Sequence, residues 1–170
     1  EPASKGAKQR PLYNSAQVVQ LYLDHGQRIF PRKFLGGSLI RAVIDDEKYD
    51  ADGIEAVLKN YLGDSRLKEC LGNVIIPAYD TERRSPMFFK SHKARKDPAR
   101  NFMLRDVARA TSAAPTYFEP LKLPVAHESD LSVYYSLIDG GVFANNPAMC
   151  AYAEVLKLFP EAEEILVVSL

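Results

Sequence analysis

The chain has 170 residues, is 46% hydrophobic and 26% charged, and balances 22 Lys+Arg against 22 Asp+Glu for a formal net charge of zero. That length supports one domain with a real core, the composition is ordinary for a soluble globular protein, and the lack of a basic excess argues against nucleic acid as a partner. Cys70 and Cys150 form no metal or redox spacing and read as buried thiols of a cytosolic protein, and no stretch approaches the ~20 apolar residues of a membrane span.

Residues 1–13 read as irregular, with no Met at the start. Asn14 or Ser15 caps a helix whose apolar positions Val18, Val19, Tyr22 and Leu23 recur at helical spacing; it is ended or interrupted at Gly26, or stops at Phe30 ahead of Pro31. Residues 31–50 show no sustained period. Asp52 opens a second helix with Ile54, Val57, Leu58 and Tyr61 on one face and Gly63 as its stop. Residues 73–79 form a β-branched apolar run that predicts a strand, with Pro77 restricting its pairing. Residues 86–89 predict another. A basic stretch follows: Lys90, His92, Lys93, Arg95, Lys96 and Arg100, opposed by Asp97. It reads either as a solvated loop or as a patch for anionic head groups or an acidic partner.

Residues 101–114 predict a helix striped by Met103, Leu104, Val107 and Ala108 and ended by Pro115, and residues 119–132 read as loop. Residues 134–138 predict a strand, 147–159 a helix offering Ala148, Ala151, Tyr152, Val155, Leu158 and Phe159 for burial, and 165–170 a further strand. Strand, helix and strand in that span predict a βαβ unit with parallel strands and a right-handed crossover. The strand pattern at the last residues and the loop-like start read as a piece of a larger domain, truncated at both ends.

Few residues carry chemistry. Gly36-Gly37-Ser38-Leu39-Ile40 starts like a nucleophile elbow and fails at Ile40, where a small residue is needed. Gly63-Asp64-Ser65-Arg66 follows a helix rather than a strand. Ser112 sits among small residues that suit tight helix packing, and Thr111 and Ser112 can bond back to the preceding turn. Arg109, if buried, must be paired to a carboxylate or to loop carbonyls. His25, His92 and His127 match no metal-ligand spacing and read as surface residues. The pairs Asp45-Asp46 and Glu163-Glu164 read as solvated faces, and no phosphate-binding glycine loop is present. Asp139 remains, in Leu137-Ile138-Asp139-Gly140-Gly141-Val142, followed by Asn145-Asn146-Pro147. Gly140 and Gly141 permit positive φ or a close approach, and Asn146 before Pro147 is a helix N-cap. Asp139 reads either as an Asx-turn residue bonded to its own loop or as a catalytic base at a strand end.

The run Ala108-Arg109-Ala110-Thr111-Ser112-Ala113-Ala114-Pro115-Thr116-Tyr117-Phe118, joined to Ile138-Asp139-Gly140-Gly141-Val142 and Asn145-Asn146-Pro147, resembles the patatin-like phospholipase family. The capped helix from Ser15 and residues 73–80 and 165–170 are similar too, so the resemblance covers nearly the whole chain. It implies a three-layer α/β fold with a mainly parallel central sheet. It implies carboxylic ester hydrolysis by a Ser-Asp dyad, without histidine, metal or cofactor. The Ser of an upstream G-x-S-x-G elbow attacks the acyl ester, the Asp is its base, and a glycine-rich loop supplies the oxyanion hole. Asp139 matches the dyad Asp, and Gly140 and Gly141 match its turn.

The elbow and oxyanion loop have no match in these 170 residues and are expected ahead of Glu1. Residues 1–170 are therefore expected to be an incomplete patatin-like phospholipase domain. It supplies the Asp base of a phospholipase A or lysophospholipase type enzyme and is inactive by itself. The expected substrates are phospholipid, lysophospholipid or neutral acyl esters. The expected location is cytoplasmic, with peripheral membrane contact through residues 80–100. Uncovered edges would drive oligomerisation or pairing with the missing segment. The alternative is a catalytically silent patatin-related binding or regulatory module, with which Asp139 is equally compatible.

Overall fold

Asn14 caps the first helix. Its side chain accepts the Gln17 N–H and the Gln17 side chain accepts the Asn14 N–H, both at 2.9 Å, so two of the orphan donors of helix α1 (Ser15–Ile29) are satisfied reciprocally. In this computed structural model, which describes residues 10–30, 49–125 and 133–169, α1 runs through Gly26 without interruption and ends at Ile29 with Phe30 as its C-cap, so the stop ahead of Pro31 is the one used. Residues 31–48, including Ser38, and residues 126–132, including His127, lie outside the described residues.

The face of α1 that packs is not its apolar stripe. Leu21, His25 and Ile29 turn inward, whereas Val18, Val19, Tyr22 and Leu23 are 45–73% exposed. Helix α2 (Ala51–Leu62) sets that choice by docking on the C-terminal half of α1. Gly53 lies against the Arg28 carbonyl, a contact that any Cβ would prevent. The Tyr61 hydroxyl lies 3.2 Å from the His25 ring, and the Tyr13 hydroxyl donates to the Tyr61 carbonyl at 2.8 Å. His25 is thus half-buried in a helix contact rather than a surface residue. Asp50, not Asp52, caps α2, accepting the Asp52 N–H at 2.9 Å. Ile54 and Val57 are buried with Ile29 and Phe118, and Leu58 and Tyr61 pack on that cluster.

Among the described residues the sheet has four strands: β1 (Ile75–Asp80), β2 (Ser85–Lys90), β3 (Leu121–Pro124) and β4 (Tyr134–Asp139), in the order β2-β1-β4-β3. Every pairing is antiparallel. This corrects the expected parallel sheet and βαβ unit. Both hydrogen-bonding edges of β4 are occupied, by β1 at Leu137–Asp139 and by β3 at Tyr134–Leu137. Residues 165–169 form no strand, and Leu166 and Val168 are 89% and 72% exposed. Strand β3 falls in a stretch that reads as loop because of Pro120 and Pro124; a four-residue edge strand tolerates proline at its end. Pro77 sits inside β1 without loss, because pairing with β4 starts one residue later, at Ala78.

Helices cover both faces of this sheet, which makes the chain an α/β domain. On one face α4 (Leu104–Thr111), shorter than residues 101–114 suggest, buries Val107 and Ala110 against Ala78, Phe89, Leu123 and Leu137. Burying side chains such as Phe89 and Leu137 contributes about 2–3 kcal/mol each. On the other face the one-turn helix α5 (Gly141–Ala144) sets Phe143 on Tyr79 and Phe88, with centroids 6.2 and 5.6 Å apart. Between β2 and α4 lie the short helix α3 (Ser91–Ala94) and the 97–102 segment, and α6 (Ala148–Leu158) follows α5.

Arg109 is 3% exposed, and as the sequence requires of a buried arginine, it is paired. Its Nε donates to Glu55 at 3.2 Å and an Nη donates to the Glu119 carbonyl at 3.0 Å, tying α4 to α2 and to the loop before β3. The guanidinium lies 5.7 Å from the Phe118 ring centroid. Among the described residues its Nη1 has no hydrogen-bond partner, so the aromatic contact offsets part of that desolvation. Arg109→Ala is expected to cost about 3 kcal/mol of unfolding free energy, because it empties a buried site. Glu55→Ala removes a half-exposed carboxylate but leaves the buried guanidinium with only the Glu119 carbonyl, and should cost less than that, about 1–2 kcal/mol. Chemical denaturation checks the ranking.

Candidate active site

Asp139 is the last residue of β4, and its position is set by three contacts. Its backbone N–H donates to the Ala113 carbonyl at 2.9 Å, which pins the strand end to the small-residue segment after α4. Thr111 Oγ1 from the same segment donates to the Pro77 carbonyl at 2.8 Å, rather than back into its own helix. Gly140 then lies on Pro77: a Cβ built there would stand 2.5 Å from the Pro77 carbonyl carbon, its oxygen and its Cβ. Gly140 has φ −68°, so glycine serves close approach here and not positive φ.

The side chain of Asp139 folds over the turn it opens. Oδ1 accepts the Gly141 N–H at 2.7 Å, an Asx turn. Among the described residues Oδ2 accepts no hydrogen bond. A Cβ at Gly141 would sit 3.2 Å from Oδ1, so this position also favours the smallest residue. Asn146 Oδ1 accepts the Ala148 N–H at 3.0 Å, an Asx turn just ahead of α6; the N-cap of that helix is Pro147, one residue later than the expected Asn146. Asn146 Nδ2 donates to Ser169 Oγ at 2.8 Å. Thr116, two residues beyond the Ala113–Ala114 segment, has φ 69°, an unfavourable conformation for a β-branched side chain.

The serines have other tasks. Ser112 Oγ donates to the Ala108 carbonyl at 2.7 Å, the back-bond expected of it. Ser91 Oγ donates to the Gly72 carbonyl, and Ser136 Oγ is held by Thr81. Ser65 binds the start of α4 through its carbonyl, whereas Asp139 binds the segment after its end; a helix of that length separates them by about 12 Å. No serine hydroxyl among the described residues contacts Asp139, and the described residues hold no cluster of metal-ligating side chains.

The basic stretch is largely consumed by internal partners. Arg95 donates to the Lys68, Cys70 and Gly72 carbonyls and to Asn73, locking the 68–73 loop. Lys90 and His92 both converge on Glu154 of α6, at 2.6 and 3.1 Å, with all three side chains 11–14% exposed. His92 is therefore interior, which corrects its reading as a surface residue. Glu154 was not legible as important: it lies at a polar position of α6, and its partners are more than sixty residues away. Lys93 and Lys96 remain exposed.

Burial pushes the His92 imidazole below its ordinary pKa; Glu154 pulls it back up, and Lys90, Lys93 and Lys96 push it down again. The Lys90 hydrogen bond holds the Glu154 carboxyl below its ordinary range, against the effect of burial. In both cases the unfolded chain binds protons more readily than the folded one, so acid destabilises the fold. Melting temperature should fall as pH drops below 6.5, the ordinary His value, and fall further below 4.5, the ordinary Glu value. His92→Gln should flatten the first descent, read by melting curves across pH.

The sequence profile described as "Patatin-like phospholipase" matches residues 13–152. Patatin-like protein 3 of Arabidopsis thaliana is 36% identical over 152 residues, covering 87% of this chain and 36% of that protein. Patatin-like protein 1 of Oryza sativa subsp. indica is 35% identical over 156 residues, 91% of this chain and 38% of that one. "Probable inactive patatin-3-Kuras 1" of Solanum tuberosum is 28% identical over 152 residues, 89% and 39% respectively. The chain thus spans a little over a third of the length of these relatives.

Gly140→Ala should cost about 2–3 kcal/mol through its clash with the Pro77 backbone, and Gly141→Ala less. Denaturation of the two variants side by side tests the difference.

Proposed function

Because the chain belongs to the patatin-like phospholipase family, we propose that it is the base-bearing part of a lipid acyl hydrolase that works by a Ser-Asp dyad. Asp139 is the base. The observation that carries this reading is the half-engaged carboxylate: Oδ1 is fixed by the Gly141 N–H, and Oδ2 takes no hydrogen bond among the described residues. A base needs one oxygen anchored and the other open. Residues of the longer protein outside this chain supply the serine and the oxyanion donors.

In acylation the serine O–H bond breaks, its proton passes to Asp139 Oδ2, and the serine oxygen bonds the ester carbonyl carbon. Collapse expels the alcohol, which takes the proton from Asp139. Water then loses a proton to Asp139 as its oxygen bonds the acyl carbon; the serine oxygen leaves and takes that proton back, which releases the fatty acid and restores the dyad. Phospholipid, lysophospholipid and neutral acyl esters are the substrate class. No helix among the described residues is long and apolar enough to cross a membrane; contact with lipid is peripheral, through Lys93 and Lys96.

The exposed stripe of α1 and the exposed Leu166 and Val168 support a chain whose apolar faces are covered by further segments of the same domain. A silent binding module is the second reading, favoured by the potato relative named as probably inactive.

In the longer natural protein, Asp139→Asn should lower kcat on a p-nitrophenyl acyl ester about 10³-fold with an unchanged melting temperature. A loss below about tenfold would return Asp139 to a turn residue. The 170-residue chain alone should show no serine-dependent turnover.

A further inference from the structure

A cavity of about 370 Å³ opens beside edge strand β2, between the sheet and the 97–102 segment, and Asp139 does not line it. Its floor is apolar: Met87, Phe102 and Tyr135 line it, with the Phe102 and Tyr135 rings 6.5 Å apart. Its rim is cationic, formed by Arg83, Lys93 and Arg100.

The acidic residues at the rim are already committed. Asp80, 2% exposed, accepts from Arg83 Nη1 at 2.9 Å and from the Glu82 and Arg83 N–H groups. Asp97 accepts from the Ala99 N–H and from Arg100 Nε, leaving the two Nη groups of Arg100 without a partner among the described residues. Lys93 Nζ has none either, and Arg83 is held flat over Tyr135 at 4.6 Å. Positive charge is therefore in excess at the mouth of a hollow of mixed lining, with one apolar side formed by Met87, Phe102 and Tyr135.

We propose that this cavity binds a free fatty acid, its carboxylate on Lys93 and Arg100 and its chain along Met87, Phe102 and Tyr135. The volume is at the lower end for a small-molecule site and suits one acyl chain rather than two. Charge complementarity selects a carboxylate over a zwitterionic head group. The proposal rests on the hydrolase reading for the source of the fatty acid, which that reaction releases; binding itself does not require Asp139.

Calorimetric titration of the full chain with sodium laurate, kept below its micelle concentration, tests it. One laurate per chain should bind, sodium acetate should not, and dodecylphosphocholine should bind more weakly. The double variant Lys93→Gln, Arg100→Gln should weaken laurate about tenfold. Ala99→Leu, at the lining, should weaken it without lowering the melting temperature. Asp139→Asn should leave laurate binding intact, which separates this site from the fate of the dyad. No laurate binding, or equal binding of laurate and dodecylphosphocholine that ignores the double rim variant and Ala99→Leu, would overturn the proposal.

Discussion

The backbone contact between Gly140 and Pro77 is the constraint on which the rest of this structure hangs. Two strands that meet only at Ala78–Asp80 and Leu137–Asp139 need a further reason to hold their register. Gly140 supplies it by lying on Pro77, closer than any side chain would allow. The Ala113 carbonyl then receives the Asp139 N–H, and Thr111 Oγ1 reaches the Pro77 carbonyl. The strand end, the glycine turn and the segment after α4 thereby form one junction. The small residues of Ala110-Thr111-Ser112-Ala113-Ala114 are what let α4 come so near the sheet, since Ala110 and Ala113 are fully buried there. A carboxylate on such a corner has its direction set by backbone, which costs no side-chain entropy at the moment of reaction.

Polar cross-links between distant segments do the rest. Arg109 joins α4 to α2, Arg95 gathers the carbonyls of the 68–73 loop, and Glu154 draws α6 onto Lys90 and His92. The ion pairs of Arg109 and Glu154 fix orientation as much as they add stability, because desolvation cancels much of their attraction, whereas the exposed Arg95 acts through hydrogen bonds to carbonyls and Asn73. They also explain why a strongly basic stretch is not a strongly basic surface. Of its cations, the Lys93 and Lys96 side chains have no hydrogen-bond or ion-pair partner among the described residues, and Lys93 stands at the cavity beside β2.

Local signals were readable wherever the cause is local. The Asn14 cap, the apolar face of α2, the glycine stop at Gly63 and the strand run before Pro77 all arise from contacts within a few residues. The need of Arg109 for a partner was legible too, though not which partner. Legibility failed where distant chain decides. Val18, Val19, Tyr22 and Leu23 look like a core face, but α2 selects Leu21, His25 and Ile29. Residues 165–169 look like a parallel strand, but both edges of β4 are taken by β1 and β3. Glu154 gave no local sign of burial. At the candidate site, the Asx turn was legible from the Asp139-Gly140-Gly141 pattern, and it engages Oδ1 alone, so the proposed base would use the other oxygen of the same carboxylate.

The central claim is that Asp139 serves a serine carried by another part of the same protein. Fluorophosphonate labelling of the longer natural protein, with the modified peptide mapped by mass, tests it most directly. The account predicts a label on one serine outside these 170 residues, lost when Asp139 becomes Asn. A label on a serine within them, or one that persists in the Asn variant, would contradict it.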